Sequence, residues 1–352
     1  LFKYELTKQR TWEARAAAAA ARAAELAPDS PDTQLALGDL HRVAGRFAEA
    51  IAEYEQVQEL RPGDYEARFG RAWALNSMNR HEDAIVECER AIAQRPADWR
   101  AHSLLGYLHA SRGSYPIAIA AWRRVVELVP DHAKAAVNLG SVLFHLDRFE
   151  EAIDQLERAI AIQPNAVAYT NLGTVLFFAE RYGEAADAFE KSVALLPSDP
   201  IKWGNLGNAS RFIPGHQARA TQALERAVGL MREGLERNPG EAEAWGRLAG
   251  WLANLGRGAE AEQAIAEALR LAPNDVHCMV YALHVHWQVG HRAEALHWIR
   301  EALRHGYGAR ALLRSPDLAG LRDDREFQSM LSELPESPGS QTPGPEGRKE
   351  IR

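Results

Sequence analysis

Cysteine is nearly absent from this chain: Cys88 and Cys278 lie far apart and in no Cys-x-x-Cys arrangement. They support neither a disulfide framework nor a zinc cluster, and both read as small buried apolar residues. A basic excess is lacking too. At a net charge of −7 the chain has no positive footprint for duplex nucleic acid, so no nucleic-acid partner is expected. Long apolar runs are missing: none reaches the roughly 18 residues of a membrane span. The alanine tract Ala16 to Ala21 is bounded by Arg15 and Arg22, as a water-exposed helix would be, and no direct membrane insertion is expected. The chain opens at Leu1 without a methionine or signal-peptide pattern, and a piece of a larger protein is expected. Cytoplasmic residence follows unless a transmembrane helix precedes Leu1. No Gly-x-x-x-x-Gly-Lys phosphate loop and no Gly-x-Ser-x-Gly occurs, so neither catalysis nor a cofactor is expected.

What the chain does have is alanine, which favours helix, and a strict period. Prolines recur at Pro62, Pro96, Pro130, Pro164, Pro197, Pro239 and Pro273, closing stretches of about thirty-four residues. A glycine or alanine follows most of them at a constant offset: Ala72, Gly106, Gly140, Gly207, Ala249. An alanine precedes most of them at another: Ala50, Ala84, Ala118, Ala152, Ala185, Ala261. A unit of this length cannot bury its apolar face alone and becomes stable by stacking on its neighbours.

Within each unit apolar residues recur at intervals of three and four, as over Thr33 to Val43 and Phe47 to Glu59. That spacing predicts two half-buried helices. Short polar breaks such as Ala44-Gly45-Arg46 and Asp147-Arg148 join them. The small residues are expected where the paired helices cross closely. The proline ends the second helix, and Asp64, Asp131, Asn165, Asp199, Asn274 and Asp275 are placed to cap the next one.

These residues resemble the tetratricopeptide repeat, with small eighth and twentieth positions, a bulky twenty-fourth (Tyr54, Trp122, Leu156, Phe189) and a closing proline. The resemblance implies an all-α, right-handed α-solenoid of about eight helix-turn-helix repeats with C-terminal capping helices. The repeats are 31–64, 65–98, 99–132, 133–165, 166–199, an extended 200–241, 242–275 and 276–309. In the last, Gly306-Tyr307-Gly308 replaces the proline. Residues 1–30 hold a degenerate half-repeat, 310–334 a cap around Ser315-Pro316-Asp317-Leu318, and 335–352 a tail whose proline, glycine and charge predict disorder. The sixth repeat is eight residues longer than the norm. Its extra length follows Arg211-Phe212-Ile213-Pro214-Gly215 and predicts a long helix from about Gln217 to Arg237.

The run WGNLGNASRFIPG, two further repeats, and SPDLAGLRDDREFQSML look like the C-terminal region of large bacterial signalling proteins. Many of these are eukaryotic-like serine/threonine kinases, and others carry cyclase-type or DNA-binding output domains. No kinase motif lies in these residues, so a catalytic part would stand upstream.

Repeats of this kind bind protein segments in the groove lined by their first helices. Asn138, Asn171 and Asn205 occupy the same position of three consecutive repeats. Each amide offers a donor and an acceptor, matching the alternating groups of an extended peptide backbone. Lys134, Thr170, Thr174 and Asn208 lie beside them, with Phe144, Phe177, Phe178 and Phe212 toward the helix ends. The bland alternative is that these asparagines stabilise packing between repeats. A carboxylate clamp is incomplete: Lys134, Asn138 and Asn171 fit it, but Ile201 stands where the third repeat needs a charge. His277, His284, His286, His291 and His297 find no acidic residue at a familiar ligand spacing and read as solvated or partly buried. Trp73 and Trp287 fall where a groove could be lined. Two other readings remain open: a substrate-presenting region of a protein O-glycosyltransferase, or a module that self-associates through its convex face.

Overall fold

The structure, a computed structural model, describes residues 15 and 18–332. Most of the segment before residue 18, residues 333 and 334 of the expected cap, and the whole 335–352 tail lie outside that range. The chain divides into two compact units, Leu1–Leu172 and Gly173–Arg352. Among the described residues there is no strand, and no helix is long and apolar enough to cross a membrane. The fold class is all-α.

In the N-terminal unit residues 18–26 are helical. Four antiparallel pairs follow: α1 (Pro31–Val43) with α2 (Phe47–Leu60), α3 (Tyr65–Ser77) with α4 (His81–Gln94), α5 (Trp99–Ser111) with α6 (Tyr115–Leu128), and α7 (Ala133–His145) with α8 (Phe149–Ile162). The unit boundary falls inside α9 (Ala166–Phe178). The C-terminal unit continues with α10 (Tyr182–Leu195) and pairs α11 (Pro200–Ser210) with α12 (Gln217–Arg237), α13 (Ala242–Asn254) with α14 (Gly258–Leu271), and α15 (Val276–Gln288) with α16 (Arg292–Arg304). It ends in α17 (Ala309–Arg314), a 3-10 turn at Pro316–Leu321, and α18 (Arg325–Ser332).

The spacing of small residues has a definite structural cause. A Cβ on Gly38 would stand 2.7 Å from the Tyr54 ring, one on Gly106 2.7 Å from Trp122, and one on Gly140 2.8 Å from Leu156. In the C-terminal unit a Cβ on Gly173 would stand 2.7 Å from Phe189. The eighth-position glycine is therefore a seat for the bulky twenty-fourth side chain of its own hairpin. Any side chain there would overlap it, at the close packing protein interiors have. Ala50, Ala84, Ala118, Ala152, Ala185, Ala261 and Ala295 at the other small position are wholly buried.

Helix capping follows a finer rule than the sequence suggests. Asp64, Asp98, Asp199 and Asp275 accept from backbone amides of the helices they open, and Asn165 accepts from Ala168. Asp131 and Asn274, both expected as caps, do not fill the N-cap position. Each directly follows its proline, one residue too early, and the cap of α7 is His132, whose Nδ1 accepts from Ala135 at 3.1 Å. Turns inside the hairpins use left-handed residues: Gly45, Gly113, Gly256 and Gly290, but also Asn79, Asp147 and Glu180. Glu180 at φ 60° lacks the short polar side chain that eases this conformation, so the turn carries strain of about 1 kcal/mol.

One charge is sunk into the N-terminal unit. Glu87 is buried on α4 and meets Arg68 at 3.2 Å, Arg71 at 3.4 Å and Arg90 at 2.9 Å. A carboxylate out of water needs such partners. Replacing Glu87 with alanine is expected to destabilise this unit by about 2 kcal/mol, below the value for a sealed ion triad because the arginines can turn to solvent. A lowered urea midpoint with unchanged slope measures it; an unmoved midpoint would show that the network contributes nothing.

Candidate partner-binding surfaces

The N-terminal unit carries a groove of about 510 Å³ along α3, α5 and α7, lined by Trp73, Trp99, Tyr107, Trp122, Lys134 and Asn138 among others. Two of its aromatics face water: Trp73 is 37% exposed and Tyr107 54%. Arg42 lies over Trp73 at 5.2 Å, held there by Asp39 and the Tyr54 hydroxyl. Burial raises the Tyr54 phenol above its ordinary value, so it stays a neutral donor, and it donates to Asp39 at 2.8 Å. Arg100 is clamped by Asp98 at 2.7 Å and Glu66 at 2.9 Å, and it holds the Asp98 carboxyl below its usual range. Trp99 is fixed edge-on against His132, ring centroids 4.5 Å apart. The wall is thus aromatic, preset by ion pairs, and Lys134 stands exposed at its edge.

The structure separates the expected site residues into different settings. Lys134 and Asn138 line this groove. Asn171 donates to the Ser141 hydroxyl at 3.0 Å, and Ser141 in turn donates to the Val137 carbonyl. That bond ties α9 to α7, as the packing alternative anticipates for this one asparagine. In the C-terminal unit Asn205 and Asn208 line a pocket of about 200 Å³ with Trp251, Asn254, Tyr281 and His284. There Asn254 donates to Asn208 at 3.0 Å. Phe212 stacks on Tyr182 at 4.7 Å, and Phe177 makes edge contacts with both Phe178 and Phe212. Those phenylalanines form a cluster of their own beside the long turn before α12 and do not line the pocket. Thr174 is half-buried on α9.

Sequence reasoning missed four features. Trp99 and Tyr107 belong to the repeat before the asparagine run and join the expected Trp73 in lining the groove. His284 is held between the Val280 carbonyl at 2.7 Å and the Ser315 hydroxyl at 3.2 Å, and burial pushes its imidazole down. Arg211 reaches Asp317 of the cap at 2.9 Å, placing a cap carboxylate on the pocket wall. Burial also pushes the Tyr281 phenol up to about 12. A fourth grouping, Glu262 with His286 and His291, draws its carboxylate from the neighbouring repeat. Local histidine spacing could not reveal it.

Stacked helical hairpins, several of them sealed by a glycine seat and a bulky partner, define a helical-repeat protein. Family models for the tetratricopeptide repeat match residues 5–65, 35–98 and 104–167, and a second such model matches 218–280. The chain belongs to the tetratricopeptide-repeat family, a class of protein–protein interaction scaffolds. Among curated proteins, none matches the sequence. Solved structures share the fold. The APC/C hetero-tetramer Cut9-Hcn1 aligns at a TM-score of 0.56 with 17% identity, over 76% of this chain and 51% of that one. The C-terminal part of a TPR repeat-containing protein from Cytophaga hutchinsonii aligns at 0.54 with 16% identity, over 70% and 98%. A MamA structure aligns at 0.44 with 24% identity, over 47% and 90%.

Proposed function

We propose that this chain is the non-catalytic recognition region of a bacterial signalling protein, of the kind whose N-terminal part is a serine/threonine kinase, and that it captures an extended peptide segment of a protein partner. The signalling assignment rests on the resemblance carried by the long sixth repeat and the Ser315 to Leu331 cap. The capture rests on one observation: the groove of the N-terminal unit combines exposed Trp73 and Tyr107 with Lys134 and Asn138. Aromatic walls take up apolar side chains, while an amide and an ammonium at the edge suit backbone groups and an acidic residue. Asn205 and Asn208 offer a second, smaller amide-lined pocket in the C-terminal unit.

The test selects binding peptides from a random displayed library on the full chain. Peptides with apolar or aromatic residues beside an acidic one are expected. Combining Asn138→Ala, Asn171→Ala and Asn205→Ala should leave helicity intact and weaken the selected peptide by more than about tenfold, some 1.4 kcal/mol. Trp73→Ala should weaken it as well. Unchanged affinity in the triple variant sinks the role of the asparagines. Unchanged affinity in both variants sinks the groove.

A further inference from the structure

Three side chains able to ligate a metal come together on the C-terminal unit, and none of them lines the asparagine pocket. Glu262 comes from α14, His286 from the last turn of α15, and His291 from the turn that opens α16. One ligating atom of each lies within 4.8 Å of the other two. The turn arranges the pair. Gly290 takes a φ of 86°, and the His291 amide donates to the His286 carbonyl at 2.8 Å. The two imidazoles then stack with centroids 6.0 Å apart and planes 27° from parallel. His291 Nδ1 stands 2.8 Å from the Glu262 carboxylate. Two ligands of a tetrahedral ion with bonds near 2 Å stand roughly 3.3 Å apart, so little movement separates this contact from joint ligation. His286 Nδ1 is buried and makes no hydrogen bond. A nitrogen so placed lacks the partner that shielded polar atoms ordinarily have.

We propose that Glu262, His286 and His291 form a binding site for a divalent late transition-metal cation, with zinc as its representative, that clasps two neighbouring repeats together. Two imidazole nitrogens and one carboxylate oxygen suit zinc, copper or nickel and leave a coordination position open to water. Calcium and magnesium prefer sets of oxygens and gain little here. The His291 and Glu262 side chains are 50% and 39% exposed, so the ion enters from solvent without opening the core. Glu294, in the first turn of α16, adds negative charge near His286. On binding, the His291 proton that faces Glu262 moves by way of solvent from Nδ1 to Nε2, and the Nδ1 lone pair and the carboxylate oxygen then take the metal. Ligands on α14 and on the α15–α16 pair belong to successive repeats, so the ion favours the folded arrangement by linkage.

The test titrates chelator-treated full chain with zinc chloride by calorimetry and follows thermal unfolding in parallel. One saturable equivalent at micromolar zinc and a raised midpoint are expected, with no heat from calcium. Glu262→Gln and His291→Asn, both at half-exposed positions, should each weaken zinc at least about tenfold while circular dichroism stays unchanged. Absence of saturable zinc binding overturns the proposal. So does binding that persists in the double variant, which would place zinc on other histidines.

Discussion

Trp251→Ala is expected to cost the C-terminal unit about 3–5 kcal/mol, near the top of the range for single core truncations. The indole is only 5% exposed and packs in one core with Leu248, Leu252, Ile265 and Val285. It also lies over Gly204 of α11, where even a Cβ would overlap the ring. The backbones of α11 and α13 are each held by their own hairpin partners, so the space left behind cannot close fully. Hydrogen exchange on the full chain reads the effect. Slow amides of α11 to α15 should lose about two to three and a half orders of magnitude of protection, because 1.4 kcal/mol corresponds to tenfold. Amides of α1 to α6 should keep theirs, since repeats of this kind pass stability only to neighbours. The converse substitution sharpens the test. Gly204→Leu should cost about 3 kcal/mol in the wild-type chain by overpacking, and clearly less once Trp251 is alanine. Strict additivity of the two changes would show that they do not share one space.

Phe327→Ala is expected to cost about 3–4 kcal/mol and to release the C-terminal cap. Phe327 is 1% exposed in a cluster with Leu283, Leu296, Ile299, Leu318 and Leu321. Arg292 holds the start of α18 through Asp324 at 2.8 Å. That exposed ion pair adds little once the ring is gone. The cap has short helices and no further repeat behind it in the described residues, so its packing against α15 and α16 is its main support. Limited trypsin digestion should cut at Arg322 or Arg325 at least about tenfold faster, because cleavage follows the population of the opened form. An unchanged rate would mean that the cap is held elsewhere.

Much of this architecture is legible in local pattern. Tyr54, Trp122, Leu156 and Phe189 stand at one spacing from Gly38, Gly106, Gly140 and Gly173 because each pair closes a single hairpin. The helix from Gln217 to Arg237 is similarly local: the turn after Ser210 and a long amphipathic stretch define its ends. The site was legible only in part. Lys134 and Asn138, which line the N-terminal groove, were expected to share a face because repeats put the same position on the same face. Trp99, Tyr107 and the seat of Asn171 on Ser141 were not, because a periodic sequence says which face a side chain takes but not what stands across from it.

Hairpin length, the small and bulky positions, and the helix-ending prolines are thus set by short-range chemistry and are determined by the sequence itself. The contacts that shape the candidate surfaces are longer in reach. Arg211 meets Asp317 across 106 residues of chain, Asn208 meets Asn254, and Glu262 meets the two histidines of the next repeat. Each depends on the offset between successive hairpins, which accumulates from side-chain volumes at every interface. Tertiary packing alone decides that offset, and with it which amides, aromatics and imidazoles share a surface.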